Sequence, residues 1–126
     1  MAEAIVVRGY RQRLATAMAG GAPVGKVAFM AFGDGGHNPD FTAKAPSETQ
    51  TQLVHEVLRK PLAAVTQEDV LSVTGRGVLD GQELIGIKIS EAALLDANGN
   101  LVGVKNFAPK VKERDERYEI SIKLRF

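Results

Sequence analysis

The last nine residues, YEISIKLRF (118–126), alternate without a break: Tyr118, Ile120, Ile122, Leu124 and Phe126 interleave with Glu119, Ser121, Lys123 and Arg125. A period of two is the mark of a β-strand with one face on a core and the other in water. A helix would scatter those apolar side chains around its circumference. An outer-membrane barrel would need roughly eight or more such strands and normally an export signal, and the chain displays neither pattern. The segment therefore reads as a sheet strand whose apolar face lies on a core, with an intersubunit sheet as one place for it.

Further β signals accumulate upstream. VLSVTGRGVL (70–79) is β-branched and interrupted by Gly75 and Gly77. In ELIGIKIS (83–90), Ile85, Ile87 and Ile89 alternate with Gly86 and Lys88. LLDANGNLVGV (94–104) sets two apolar runs around Asp96-Ala-Asn98-Gly99, which suits a hairpin turn with Gly or Asn at positive φ. VGKVAFMAF (24–32) reads as a strand buried on both faces, and Gly33 to Ser47 as a long loop. Only YRQRLATAMA (10–19) reads as helix, stopped by Gly20, Gly21 and Pro23. TQLVHEVLRKPLAAV (51–65) fits a helix or a strand, broken in either case at Pro61. APKVKERDERY (108–118) reads as a charged, solvated connector, with Lys110, Lys112 and Arg114 offset by Glu113, Asp115 and Glu116. The resulting fold class is mainly β (α+β), a small antiparallel sheet or, by analogy, a sandwich of five to seven strands, with one N-terminal helix, as a single domain over 1–126.

Composition narrows function mainly by exclusion. Sixteen Lys and Arg against fifteen Asp and Glu give a net charge of +1, so no global field draws the chain to nucleic acid or an anionic membrane. The absence of cysteine removes disulfides, thiolate nucleophiles and cysteine-based zinc sites together. No apolar run approaches the ~18–20 residues of a spanning helix. The apolar stretch AIVV (4–7), with an acid before it, is too short for an export signal, so synthesis and use without export are expected.

The chemistry-bearing residues give little support to catalysis. The Gly33-Asp34-Gly35-Gly36 turn follows a strand, as a dinucleotide loop would, but its spacing is not GxGxxG and no helix start or GK[ST] follows. Backbone turning is the better reading, the glycines allowing a sharp change of direction where a side chain would obstruct. Asp34, His37 and Asp40 put oxygen and imidazole donors within seven residues, yet His55-Glu56 does not extend them to an HExxH pattern. No serine sits in a GxSxG elbow, and the acidic pairs near 113–116 lie in an exposed charged run. No catalytic, cofactor or metal residue is assigned.

Taken in order, three segments resemble the N-terminal domain of phage tail-collar fibre proteins: ATAMAGGAPVGKVAFMAFGDGGHNP, TQTQLVHEVLRKPLAAVTQED and ISEAALLDANGNLVGVKNFAPKVK. Thr51, Leu53, Glu56, Val57 and Arg59 match one motif of that family, and Glu91, Leu94, Asp96, Gly99 and Leu101 a second. SEAALL departs from the family's Arg-Glu-Ile-Gly-Leu run. The resemblance implies a mostly β module that fixes a receptor-binding fibre to baseplate or collar. It implies no catalytic residues and no cofactor, a virion-tail location after assembly in the host cytoplasm, and other tail, baseplate and fibre proteins as partners. It further implies a homo-oligomer, trimers being common among fibres. Because family members continue into a long fibre and this chain stops at Phe126, an adaptor or socket between baseplate and fibre is the expectation, with a truncated fibre as the alternative. Gly33, Asp34, Gly35, Gly36, Glu56, Arg59, Glu91, Asp96, Gly99 and Phe126 become turn and interface candidates. The contrasting expectations are a small cytosolic ligand- or carbohydrate-binding β domain, against which the absence of Trp counts, and an enzyme using a metal at Asp34, His37 and Asp40.

Overall fold

The computed structural model describes residues 4–126, so the first residues of the export reading, Met1 to Glu3, lie outside it. Eight strands and one helix follow in chain order: β1 (Ile5–Val6), α1 (Arg8–Met18), β2 (Val27–Gly33), β3 (Glu56–Pro61), β4 (Ala64–Thr66), β5 (Ser72–Leu79), β6 (Lys88–Asp96), β7 (Leu101–Val111) and β8 (Tyr118–Arg125). They form a five-stranded sheet, β1-β7-β6-β2-β3, and a three-stranded sheet, β4-β5-β8, with every pairing antiparallel. The mainly β class and the single helix stand. The expected five to seven strands become eight because β1 and β4 are too short for a periodic pattern to reveal.

The sheets face one another across a core that includes Met30, Phe32, Ile89, Ala92 and Leu94 from the larger sheet and Leu79, Ile120, Ile122 and Leu124 from the smaller. The alternation of β8 puts Ile120, Ile122 and Leu124 inside and Glu119, Ser121 and Arg125 outside. Phe126 falls just beyond the strand. Its amide donates to Leu71 O at 2.8 Å and its ring lies 6.0 Å from that of Tyr10 on α1.

The larger sheet buries its other face as well. Ala31, Ala93, Leu95, Leu101 and Val104 point outward there and are covered by Leu53 from the 34–55 loop and by Tyr10. Coverage on both faces explains why β6 is buried from Ile89 to Asp96 and why its sequence shows no alternation.

Four local readings change. The ambiguous 51–65 stretch contains strand β3, and Pro61 ends it. Glu83 to Ile87 is turn rather than strand, with Leu84 at φ 52° and Gly86 at φ 81°. The charged connector is shorter than its composition suggests. β7 runs on to Val111, Lys112 is fully buried, and its Nζ donates to Glu113 O at 3.0 Å. The strand expected from Val24 begins at Val27.

The connections define the two ends of the molecule. Leu79 pairs with Tyr118, and Lys88 with Val111. The 80–87 and 112–117 segments join these pairs and are themselves linked by the Asp115 amide on Gly81 O at 2.9 Å. The 34–55 loop leaves β2 at this same end, because Gly33 pairs with Glu91 near the start of β6. The β6–β7 hairpin and the 67–71 turn lie at the opposite end.

Candidate interaction surface

Gly33 is one rung of a row that crosses the larger sheet, paired with Glu56 on one side and Glu91 on the other. Glu91 is fully buried, and a buried carboxylate is tolerable only when its lone pairs are filled. Here backbone amides fill them. Gly35 and His55 donate to Oε2 and Val54 to Oε1, each at 2.9 Å. One side chain thus ties down both the departing and the returning strand of the 34–55 loop. A bulge beside Glu91 places the Ser90 hydroxyl next to it, where it accepts from the Gly36 amide at 2.9 Å and lies 2.8 Å from His37 Nδ1.

The glycines are required by this close approach. None of Gly33, Gly35 and Gly36 adopts positive φ, so the expected reason, a sharp turn, is only half of it. A Cβ on Gly33 would sit 2.5 Å from Glu91 Oε2 and 2.5 Å from His55 O, and one on Gly35 would meet Val54 at 2.8 Å. The same geometry disposes of a phosphate cradle, since the amides of Gly35 and Gly36 already serve the chain's own carboxylate and hydroxyl.

The three donors of the metal reading turn to different partners. Asp34 pairs with His55 at 2.5 Å, His37 with Ser90, and Asp40 with the Thr42 hydroxyl at 2.6 Å. That hydroxyl, with the Thr42 amide second, holds the Asp40 carboxyl below its ordinary range. No group of three or more His, Cys, Asp and Glu placed to hold an ion occurs among the described residues, and no helix there is long and apolar enough to cross a membrane.

A second cluster forms on the outer face of the sheet. A pocket of about 190 Å³ has Ala31 and Ala93 on its sheet side, and Thr51, Leu53, Glu56, Arg59 and Gly99 also line it. Arg59 grips Glu56 through Nε at 3.1 Å and Nη2 at 2.9 Å, and this bond raises its pKa. Gly99 has φ +84°, and a Cβ there would stand 3.4 Å from Arg59 Nη1. Asp96 organises the hairpin beneath, its Oδ1 accepting from the Asn98 and Asn100 amides at 2.9 and 3.0 Å. Arg13 on α1 donates to Leu101 O at 2.6 Å and stands 4.0 Å from Asp96 Oδ2, fastening helix to hairpin.

The ten candidates therefore sort by place. Gly33, Asp34, Gly35, Gly36 and Glu91 build the loop root, and Glu56, Arg59 and Gly99 meet at the outer pocket. Asp96 stands below at the hairpin, while Phe126 lies apart, half exposed against Tyr10. Sequence reasoning passed over Ser90 and Phe41, and had Leu53 only as a motif match. Phe41 could have been found as a lone aromatic in a polar loop; nothing local marks Ser90, whose partners lie more than fifty positions away.

Two motifs that lie apart in the chain, Thr51 to Arg59 and Glu91 to Leu101, thus converge on one side of one sheet. A family model described as phage tail-collar fibre protein, N-terminal, matches residues 1–123. No curated protein and no solved structure matches the chain. With nearly its whole length covered by that model, the protein belongs to the phage tail-collar fibre family and is a structural component of a phage tail.

Proposed function

We propose that the chain is a single attachment module that links a receptor-binding fibre to the tail at baseplate or collar, and that it acts through protein–protein interfaces without catalysis. The observation that carries this reading is the division of labour among its side chains. The polar groups of both clusters are spent on each other and on the backbone, whereas large apolar side chains stand exposed at loops and edges: Met18, Phe41, Val54, Val70, Leu71 and Val111. Apolar groups displayed on a hydrogen-bonded scaffold favour contact with another protein over chemistry on a small molecule. Tail, baseplate and fibre proteins are the partners this reading requires, with assembly in the host cytoplasm and more than one copy per site.

Antibody raised against the chain, followed by immunogold electron microscopy of intact particles, tests the assignment. Gold clustered at the tail tip or collar is expected. Unlabelled particles with the antigen left soluble would overturn it.

A further inference from the structure

β8 is an edge of the smaller sheet: it pairs with β5 on one side and, among the described residues, with no strand on the other. The Phe126 amide on Leu71 O at 2.8 Å continues the β5–β8 register and fixes its phase. Hydrogen-bonded and non-bonded pairs alternate along an antiparallel ladder, so the even-numbered residues of β8 spend their backbone groups on β5. Glu119, Ser121, Lys123 and Arg125 turn theirs to the open side. The one contact recorded there is Lys105 Nζ on Ser121 O at 3.5 Å, a long bond and a loose cover. An unpaired edge is a template for an added strand, and proteins blunt it with a bulge, a proline or a very short strand. β8 runs for eight residues with none of these.

The edge opens into a groove of about 780 Å³, where Ser121, Lys123 and Arg125 of β8 meet Ile5 of β1, Arg11 of α1 and Lys105 of β7. Its unspent charge is of one sign. The two carboxylates of the lining are taken, Glu48 by Arg8 and Glu68 by Lys123, whereas Arg11, Lys105 and Arg125 form no ion pair among the described residues. Cations beside an open strand edge call for carboxylates on the strand that fills it. A second copy does not bring them. Of the chain's own edge strands, β1 and β4 have two and three residues and no charge, and β3 carries Arg59 and Lys60 against Glu56. β8 itself has Lys123 and Arg125 against Glu119, which Arg76 and Arg117 already hold.

We propose that the open edge of β8 receives an extended acidic segment of another tail protein, which adds a strand to the smaller sheet. The backbone groups of Glu119, Ser121, Lys123 and Arg125 hold the segment, and Arg11, Lys105 and Arg125 select its charge. A length of roughly five to seven residues spans the edge from Glu119 to Arg125. Lys105 exchanges its long bond to Ser121 O for a carboxylate of the incoming strand. The inference rests on the attachment reading and gives its partner a chemistry: an acidic peptide, bound through the backbone.

Fluorescence anisotropy of a labelled, capped peptide, Glu-Val-Asp-Val-Glu-Val, against the native chain tests it. Saturable binding that salt weakens is expected, with none for Lys-Val-Lys-Val-Lys-Val. Ser121→Pro removes an amide from the open side and fills it with a ring while leaving every β5 bond in place, so binding is lost at a near-native thermal midpoint. Arg125→Glu weakens binding about tenfold. Should Ser121→Pro fail to fold, the acidic peptide N-methylated on alternate residues asks the same question from the other strand: one alternate set abolishes binding and the other keeps it. Equal binding of the two peptides, binding of neither, or native-like binding by both variants would each overturn the proposal. Self-association of the native chain that Ser121→Pro abolishes would give the edge to a second copy and overturn it too. Immunogold on tails keeps the two readings apart. Native gold without peptide binding sinks the added strand and leaves the attachment role, whereas peptide binding without native gold sinks the role and leaves the edge.

Discussion

Glu91 is fully buried, and its three amide donors come from segments that no local pattern connects to it: Gly35 on one side of a long loop, Val54 and His55 on the other. Truncation to alanine leaves those amides facing a void, of which the ones on Val54 and His55 can partly rehydrate at the surface. Glu91→Ala is expected to cost about 2–4 kcal/mol of unfolding free energy in urea. Glu91→Gln falls between the two, since its amide oxygen still accepts but its NH₂ opposes the other donors. Gly33→Ala, which drives a methyl into Glu91 and His55 O, is expected to cost about 1–3 kcal/mol. Resemblance to the family singled out Glu91 and the glycine turn from sequence. Neither spacing nor composition could reveal their relation, because it depends on Val54 and His55 returning from far along the chain. The glycines read as turn-formers for the same reason: a close approach has no signature until its other half is known.

At the scale of elements, the most legible piece is the β6–β7 hairpin, where Asp96-Ala-Asn98-Gly99 marks the turn that Asn100 closes through its backbone. Gly99→Ala puts a Cβ at φ +84° and is expected to cost about 1 kcal/mol or slightly more. The least legible is the 112–117 connector, whose charges resemble those of a free loop. Instead, Lys110 bonds Glu116 at 2.8 Å across it. That bond raises the Lys110 pKa and lowers that of Glu116, while burial raises that of Tyr118. A carboxyl with a depressed folded pKa stabilises above its ordinary range and ceases to do so as pH falls through the folded value. A lysine or tyrosine with a raised folded pKa stabilises below its ordinary range, and the effect is lost as pH rises through the folded value. The connector should therefore be most firmly held between the ordinary glutamate range and the alkaline range of lysine and tyrosine. Limited proteolysis at Arg114 and Arg117 with an acid-tolerant protease should accelerate on acidification, and Lys110→Met should flatten that dependence. Glu83 to Ile87 misread as strand because isoleucine alternation survives there while the backbone turns at Leu84 and Gly86.

For the molecule as a whole, alternation disclosed that β8 had a core to face, but it could not name the strands it would meet. β1 pairs with β7, β2 with β6 and β5 with β8, so half of the six ladders join strands that are not consecutive in the chain. Loop closure precedes reward in such a topology, and refolding should take milliseconds to seconds in stopped-flow fluorescence of Tyr10 and Tyr118, rather than the microseconds of a helical bundle. Leu94, fully buried between the sheets, belongs to the shared core, and Leu94→Ala should lower stability by about 2–5 kcal/mol.

The helix stands outside this cooperative whole. α1 has no side-chain cap, no acid in its first turn, no base in its last and no buried residue, and Arg13 is its main polar tie to the hairpin. Its local opening free energy should accordingly be small while that of β6 approaches the global value. Amide deuteration would resolve the two, with α1 exchanging orders of magnitude sooner and Arg13→Ala hastening it without touching β6. The molecule thus joins a rigid sandwich to a loosely held helix, and opening that helix would uncover the outer-face cluster that Tyr10 helps to cover.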